Sequence, residues 1–247
     1  MRNKQHGVRT LFLSLLIILL LSSVQPIGLI EPWNTTDRGF SPAGDIVHDP
    51  ININGDDEFA NQDFVEGWPG NGSMGNPYRI ENFLIDASTA HGISIINTQV
   101  HFIIYNCTIF GGDSSGYHGI VLSAVSNGII RENELDDNEA GIILINSASN
   151  TIEDNTVTEC ANGIFLENSD VNNVYRNNVS NSTGNGIRFR WCDDSVVANN
   201  TCIRNNVGMY IERGERDTIH NNTISNSDAF DLQVGDLCRW HTVTNNT

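Results

Sequence analysis

The chain has 247 residues, with 13 basic against 30 acidic side chains and a formal net charge of −17 at pH 7. That balance repels nucleic acid and anionic lipid headgroups, and suits a solvated surface, a high-salt habitat or the binding of cations. Its five cysteines (Cys107, Cys160, Cys192, Cys202, Cys238) make no C-x-x-C pair, which excludes a zinc ribbon or thioredoxin-like motif. The odd count leaves at least one thiol unpaired, and buried structural cysteine is the default.

Residues 1–24 read as a signal peptide or signal anchor helix. Arg2, Lys4 and Arg9 precede the apolar run Leu11 to Leu21, and Ser22, Ser23 and Pro26 follow. The segment lacks an A-x-A site and its apolar character resumes at Ile27 to Ile30, which keeps the uncleaved anchor open. Gln25 and Pro26, however, interrupt the roughly 20 apolar residues that a span needs. Either way the remainder is expected to be extracellular, at the cell surface or in an equivalent of the periplasm, with membrane contact only through the N-terminal segment. Residues 25–45 have the Pro, Gly and polar composition of a linker. Residues 46–90 read as an N-terminal cap and first coil: a short strand and a helical turn between His48 and Phe64, a sharp turn through GWPGNGSMGNPY, and entry into the coil at Tyr78 to Ile85.

From residue 91 to 247 the sequence repeats itself. Segments beginning at Gly119, Gly141, Gly163, Gly186 and Gly208 read GIVL, GIIL, GIFL, GIRF and GMYI, with successive spacings of 22, 22, 23 and 22. An earlier copy starts at Gly92, 27 residues before Gly119, and the insertion GGDSSGY accounts for the excess. In step with the glycines run an apolar row (Ile130, Ile152, Val174, Val197, Ile219, then Val243) and an asparagine row three residues beyond it (Asn133, Asn155, Asn177, Asn200, Asn222, then Asn246). A second apolar row follows: Leu135, Val157, Val179, Cys202 and Ile224. Period-two segments of three to five residues separated by Gly, Asn, Ser and Asp are too short for an open sheet. A coil of about 22 residues that closes on itself and stacks on the next at about 4.8 Å accommodates them. The expected fold is therefore all-β: a right-handed parallel β-helix, a single solenoid with an N-terminal cap. The asparagine row belongs at a bend, where stacked amides donate and accept along the axis. The chain stops mid-coil and reads as truncated at its C-terminus. A helical reading fails on composition, and a leucine-rich repeat lacks its L-x-x-L-x-L.

The G-I-x-[LI] and V-x-x-N-x-[VI] register resembles the repeats of the pectate-lyase-like superfamily. HDPININGDDEF, GNGSMGNPYRIENFLIDAS and HGISIINTQVHFIIYNCTI resemble more narrowly archaeal cell-surface proteins with a NosD-type β-helix domain, over about residues 46–247. The resemblance implies the fold. For function it implies a choice among polysaccharide lyases, hydrolases or epimerases, copper-associated periplasmic accessories, and proteins with no known activity.

In this register, Phe165, Arg188 and Tyr210 project outward two residues after their glycines, Glu167, Arg190 and Glu212 four after, and Trp191 and Arg213 five after. Aromatics among charges make a candidate carbohydrate-binding strip of Phe165, Arg188, Trp191, Tyr210 and Arg213; the alternative is an ordinary charged surface ladder. Glu167, Arg190 and Glu212 are weak catalytic candidates, because an arginine between two glutamates holds both ionised where an acid catalyst needs a raised pKa. The polygalacturonase motifs are not matched: Asp193-Asp194 is the D-D nearest the strip, His118 sits in Y-H-G rather than G-H-G, and R-I-K is missing. A calcium-dependent lyase needs aspartates stacked on one outer face, which this strip does not offer. His91 and His118 each precede a coil glycine and are candidate copper ligands, the alternative being a stacked hydrogen-bonded pair. Asp56-Asp57-Glu58 and Asp136-Asp137 are candidate calcium loops without EF-hand spacing.

Sequons begin at Asn34, Asn71, Asn106, Asn178, Asn181, Asn199, Asn221 and Asn245 and mark a candidate glycoprotein, although the asparagine row explains N-N-T strings structurally. The leading expectation is a non-catalytic module that binds a polysaccharide, a surface glycan or another surface protein. The alternatives are a carbohydrate-active enzyme and a copper-handling accessory.

Overall fold

The computed structural model describes residues 46–247. The signal or anchor segment, the linker and the sequon at Asn34 lie outside the described residues. Three parallel sheets of eight strands each wind about one axis, and each turn of chain contributes one strand to each sheet. The first sheet carries the longest strands: Ile51–Asn54, Ile93–Thr98, Ile120–Val125, Ala140–Ile145, Asn162–Glu167, Asn185–Arg190, Val207–Glu212 and Phe230–Val234. The second runs from Tyr78–Glu81 to Thr242–Thr244 and the third from Ile46–His48 to Thr223–Ser225, mostly in strands of three or four residues. The architecture is the expected right-handed parallel β-helix, with a hand that follows from right-twisted strands joined by crossovers between parallel neighbours.

Every inward position stacks on its counterpart. Ile120, Ile142, Ile164, Ile187 and Met209 form one interior column, and Leu122, Leu144, Leu166, Phe189 and Ile211 form another. The sequence rows through Ile152 and through Val157 supply the remaining two. Nearly all are fully buried, so the core is a continuous apolar rod. The coil glycines permit this closeness: a Cβ on Gly163 would fall 2.2 Å from Val179 Cγ1 and 2.4 Å from the Gly186 carbonyl.

The bends use a device that the repeat pattern displays only in part. Four residues per coil sit at positive φ, at fixed offsets from the glycine, as in Asn168 (48°), Val171 (57°), Arg176 (59°) and Asn181 (58°). In the asparagine row it is the preceding residue (Glu132, Asp154, Arg176, Asn199 or Asn221) that turns left-handed, while the buried asparagine behind it builds the ladder. In N-N-T the first asparagine is therefore exposed and the second buried, or half-buried in the case of Asn246. The ladder accounts for the second asparagine only. The sequon residues Asn199, Asn221 and Asn245 are exposed, as are Asn71, Asn178 and Asn181, while half-buried Asn106 donates from its amide to Asn82 Oδ1 (2.7 Å).

At the N-terminal end the helical turn proves to be a three-turn helix, α1 (Asp56–Glu66). Acidic residues fill its first turn, where the positive end of the helix dipole favours them, and Glu58 accepts from Asn54 N (2.6 Å). Phe59 reaches down from it, fully buried, onto Tyr78 (5.0 Å, stacked) and Phe102 (5.3 Å). None of the described helices is long and apolar enough to cross a membrane.

Candidate functional site

The outward rows of the first sheet fall in the expected register: Val121, Ile143, Phe165, Arg188 and Tyr210 in one, and Ser123, Ile145, Glu167, Arg190 and Glu212 in the other. Towards the N-terminal end the rows are apolar, and Val121, Ala140 and Ile143 bury one another in a small external cluster against Ile145 and Phe165. Charge enters with Glu167. Arg188 lies between two rings, 5.0 Å from the Phe165 centroid and 5.5 Å from that of Tyr210, and donates to Glu212 (2.5 Å). Arg190 donates to Glu167 (3.2 Å), approaches Glu212 (3.8 Å) and lies over Trp191 at 4.1 Å. The Arg188 hydrogen bond holds the Glu212 carboxyl below its ordinary range against the opposing effect of partial burial, and the charges of Arg188, Arg190 and Arg213 add to it. Glu212 is thus a carboxylate at neutral pH, which suits an ion-pair ladder and not an acid catalyst.

Trp191 and Arg213, read as the end of the strand face, occupy the left-handed corner just beyond it (φ 54° and 56°). They turn into an open cleft of about 450 Å³ lined also by Asn168, Asp170, Asp193, Glu215 and Leu237. Asp170, Asp193 and Glu215 stand seven residues after their coil glycines, an offset that lies beyond the strand and outside its alternating pattern. They stack on consecutive coils: Asp193 N donates to Asp170 Oδ1 (2.9 Å), and Glu215 N to Asp193 Oδ1 (2.8 Å). Arg216 neutralises much of this corner by a two-point bond to Asp194 (both 2.7 Å) and a further bond to Glu215 (3.0 Å). Trp191 is 38% exposed and Leu237 65%, so an aromatic and an aliphatic surface meet carboxylates in one open depression. The signal that could have found the cleft is the row of acids at the seventh position, legible once the bend is placed.

His91 and His118 do stack, with ring centroids 5.0 Å apart and planes 3° from parallel. His118 N donates to His91 Nδ1 (3.0 Å) and Ala140 N to His118 Nδ1 (3.1 Å). A neutral ring whose Nδ1 accepts carries its proton on Nε2, which leaves no lone pair for a metal. Burial lowers both pKa values, that of His118 to about 4 with help from the charge of His91, so the neutral form is the native one. The pair does the work of Asn162 Oδ1 two coils on, which accepts from Asn185 N (3.3 Å). The calcium candidates are likewise engaged within the fold. Asp56 Oδ1 accepts from Thr98 Oγ1 (2.5 Å), and Asp136 Oδ1 from Thr158 Oγ1 (2.8 Å). Both sit in regular elements, α1 and the strand Glu134–Asp136, rather than loops.

The class defined so far is a right-handed β-helix with an external aromatic and acidic cleft. The chain belongs to the family described as periplasmic copper-binding protein (NosD), whose pattern matches residues 52–247. No curated protein sequence matches it. Two point mutants of the periplasmic alginate epimerase AlgG resemble it in fold, with TM-scores of 0.62 and 0.61 at 20% identity, over 69% of this chain and 45% of theirs. The chain thus spans less than half the length of these structures, and at that identity the likeness concerns the fold alone.

Copper, which the family description implies, can be tested against the donors present. Among the described residues no three His, Cys, Asp or Glu side chains converge as a metal site. Cys107, Cys160 and Cys192 are buried thiols pushed up to about 12 chiefly by burial, and Cys202 is raised further by the same cause. Copper binds thiolate, thioether or an imidazole lone pair, and neither these thiols nor the His91–His118 pair presents one. The described residues do not fit a copper centre.

Proposed function

We propose that this protein is an exported, non-catalytic β-helix module that binds carbohydrate in the Trp191 cleft. The observation that carries the reading is Trp191 itself: a partly exposed aromatic ring, with Arg190 over it at 4.1 Å and Arg213 at 5.5 Å, in a cleft lined also by Leu237, Asn168, Asp170 and Asp193. The ring surface that the arginines leave open packs against the C–H face of a pyranose while amide, guanidinium and carboxylate groups take its hydroxyls. Export agrees with the N-terminal basic and apolar segment and with the periplasmic family description. Absence of turnover agrees with the arginine pairing of Glu167 and Glu212.

The test is calorimetry of the full chain against neutral, amino and uronic oligosaccharides, with product analysis of each mixture. The expected outcome is binding to at least one class without products, weakened by about 5- to 30-fold by Trp191→Ala, as the loss of a stacking contact of about 1–2 kcal/mol requires. Binding unchanged in that variant sinks the site; released products sink the non-catalytic reading. The family description supports copper handling as a second reading. Stoichiometric Cu(II) uptake by the full chain, lost in a His91→Asn, His118→Asn double variant, would establish it against the hydrogen bonding described above.

A further inference from the structure

The corner that forms one wall of the cleft, Arg213 to Arg216, rests on a buried carboxyl where an asparagine is expected. Behind this corner runs an inner ladder in which each coil donates a backbone N–H to a side chain of the next. Gly128 N bonds to Asn150 Oδ1 (2.8 Å), Asn150 N to Asn172 Oδ1 (2.9 Å) and Asn172 N to Ser195 Oγ (3.2 Å). Ser195 N then bonds to Asp217 Oδ1 (2.8 Å), and Asp217 N to His241 Nδ1 (3.1 Å). The asparagines also give. Asn150 Nδ2 donates to the carbonyls of Val125 and Ala148 (3.0 and 3.1 Å), and Asn172 Nδ2 to that of Ser147 (2.9 Å). These carbonyls lie 25 and two residues earlier in the chain.

In that register Asp217 Oδ2 takes the place of the donating nitrogen, and the carbonyl at the same 25-residue offset is that of Cys192. Both oxygens border the same glycine: a Cβ on Gly214 would fall 2.1 Å from Cys192 O and 3.4 Å from Asp217 Oδ2. Asp217 is 1% exposed, and its Oδ2 makes no hydrogen bond as an acceptor. It also lies 3.4 Å from His241 Nδ1, whose lone pair is already turned towards the Asp217 N–H. An ionised carboxylate would set oxygen against oxygen and against nitrogen; a carboxylic acid supplies the missing donor.

We infer that Asp217 is a positioning residue of the cleft, held as a neutral acid in the role of a ladder asparagine, and that loss of its proton loosens the wall Arg213–Arg216. The inference rests on the cleft reading only for its functional consequence. The groups around Asp217 favour the acid. Burial above all, with the charges of Asp193, Asp194 and Asp170 on the preceding coils, raises its pKa to about 7 against the lowering effect of the Ser195 N–H. Arg216 beside it is committed to Asp194 and Glu215. From the next coil, burial lowers the pKa of His241 against the raising effects of the Gly214 carbonyl, Asp193 and Glu215, and the thiols of Cys192 and Cys238 are raised by their own burial. A carboxyl whose folded pKa exceeds its unfolded value of 3.8 costs nothing below pH 3.8. Above it stability falls as pH rises, and the full loss is reached beyond about pH 7.

Hydrogen–deuterium exchange of the full chain, corrected for intrinsic rates, reads this directly in peptides covering residues 213–217 and 237–241 between pH 5.5 and 8.5. Wild type should lose protection by about thirtyfold across that range, most of it below about pH 7, because one linked proton acts over roughly 1.5 pH units there. Asp217→Asn should keep it throughout, and Asp217→Ala should lack it throughout. Flat wild-type protection, or a pH-dependent loss that persists in Asp217→Asn, overturns the inference. Failure of every oligosaccharide to bind at pH 5.5 would count against the cleft reading and leave this result standing.

Discussion

Asn177 shows what one residue of the ladder does. Its Oδ1 accepts from both Asn155 N and Asn155 Nδ2 (each 3.0 Å), while its own N and Nδ2 donate to Asn200 Oδ1 (2.9 and 3.0 Å) and Nδ2 also to the Ile152 carbonyl (3.0 Å). At 1% exposure no water replaces these partners. Asn177→Ala strands two donors and one acceptor, each costing about 1–3 kcal/mol, so a loss of about 3 kcal/mol or more is expected in urea unfolding; a loss under about 1 kcal/mol would show that the bend can rebuild itself around alanine. This rung was legible in the sequence because a buried amide needs its neighbours at constant register. The left-handed residue in front of it was not, because Glu132, Asp154, Arg176 and Asn199 share a backbone conformation and no side-chain chemistry. Exposed Val171, β-branched at φ 57°, makes the same point.

At the scale of an element, the edge column before the coil glycines shows two chemistries in one role. His91 and His118 accept backbone N–H bonds at one end, and Asn162 accepts them further along. The histidines carry a pH dependence that asparagine lacks. Their folded pKa values lie below the unfolded 6.5, so their contribution is complete above pH 6.5 and is lost as pH falls towards about 4, where protonation removes the acceptor. His118→Asn should therefore flatten the acid limb of the stability curve between pH 6.5 and 4 by on the order of 2 kcal/mol, measured as the denaturant midpoint at each pH. An unchanged acid limb would place the titrating group elsewhere. The spacing brought the two rings together on paper, and their stacking is as the register implies. Which nitrogen is engaged depended on the next coil's backbone, which no sequence pattern displays. The same limit applies to the strip: the rows of Arg188 and Arg190 were legible, but the cleft at Trp191 was not, because the strand ends one residue earlier and the chain turns.

For the whole molecule, charge is the main influence on stability beyond the apolar rod. Residues 46–247 hold 9 of the basic and 27 of the acidic side chains, so the solenoid repels itself, and the arginine pairs of the strand face and the adjoining corner relieve this only locally. Salt shortens the Debye length from about 30 Å at 0.01 M to about 3 Å at 1 M. The melting temperature of the full chain should therefore rise by several degrees over that range, where about 2–4 °C corresponds to 1 kcal/mol in a chain of this size. A melting temperature that falls with salt would mean that the surface ion pairs outweigh the repulsion.

The sequence by itself determined the coil length, the four interior columns, the asparagine ladder and the family, because stacking forces each coil to present the same residue type to the same neighbour. Only the tertiary structure decided where the bends fall, and with them the cleft that joins Trp191 to Asp170 and Asp193. It alone decided that His91 and His118 spend their lone pairs on the backbone, and that Asp217 stands where an amide belongs. These features depend on which atom faces which across a gap between coils, and a repeat fixes the register of residues but not the direction of a lone pair.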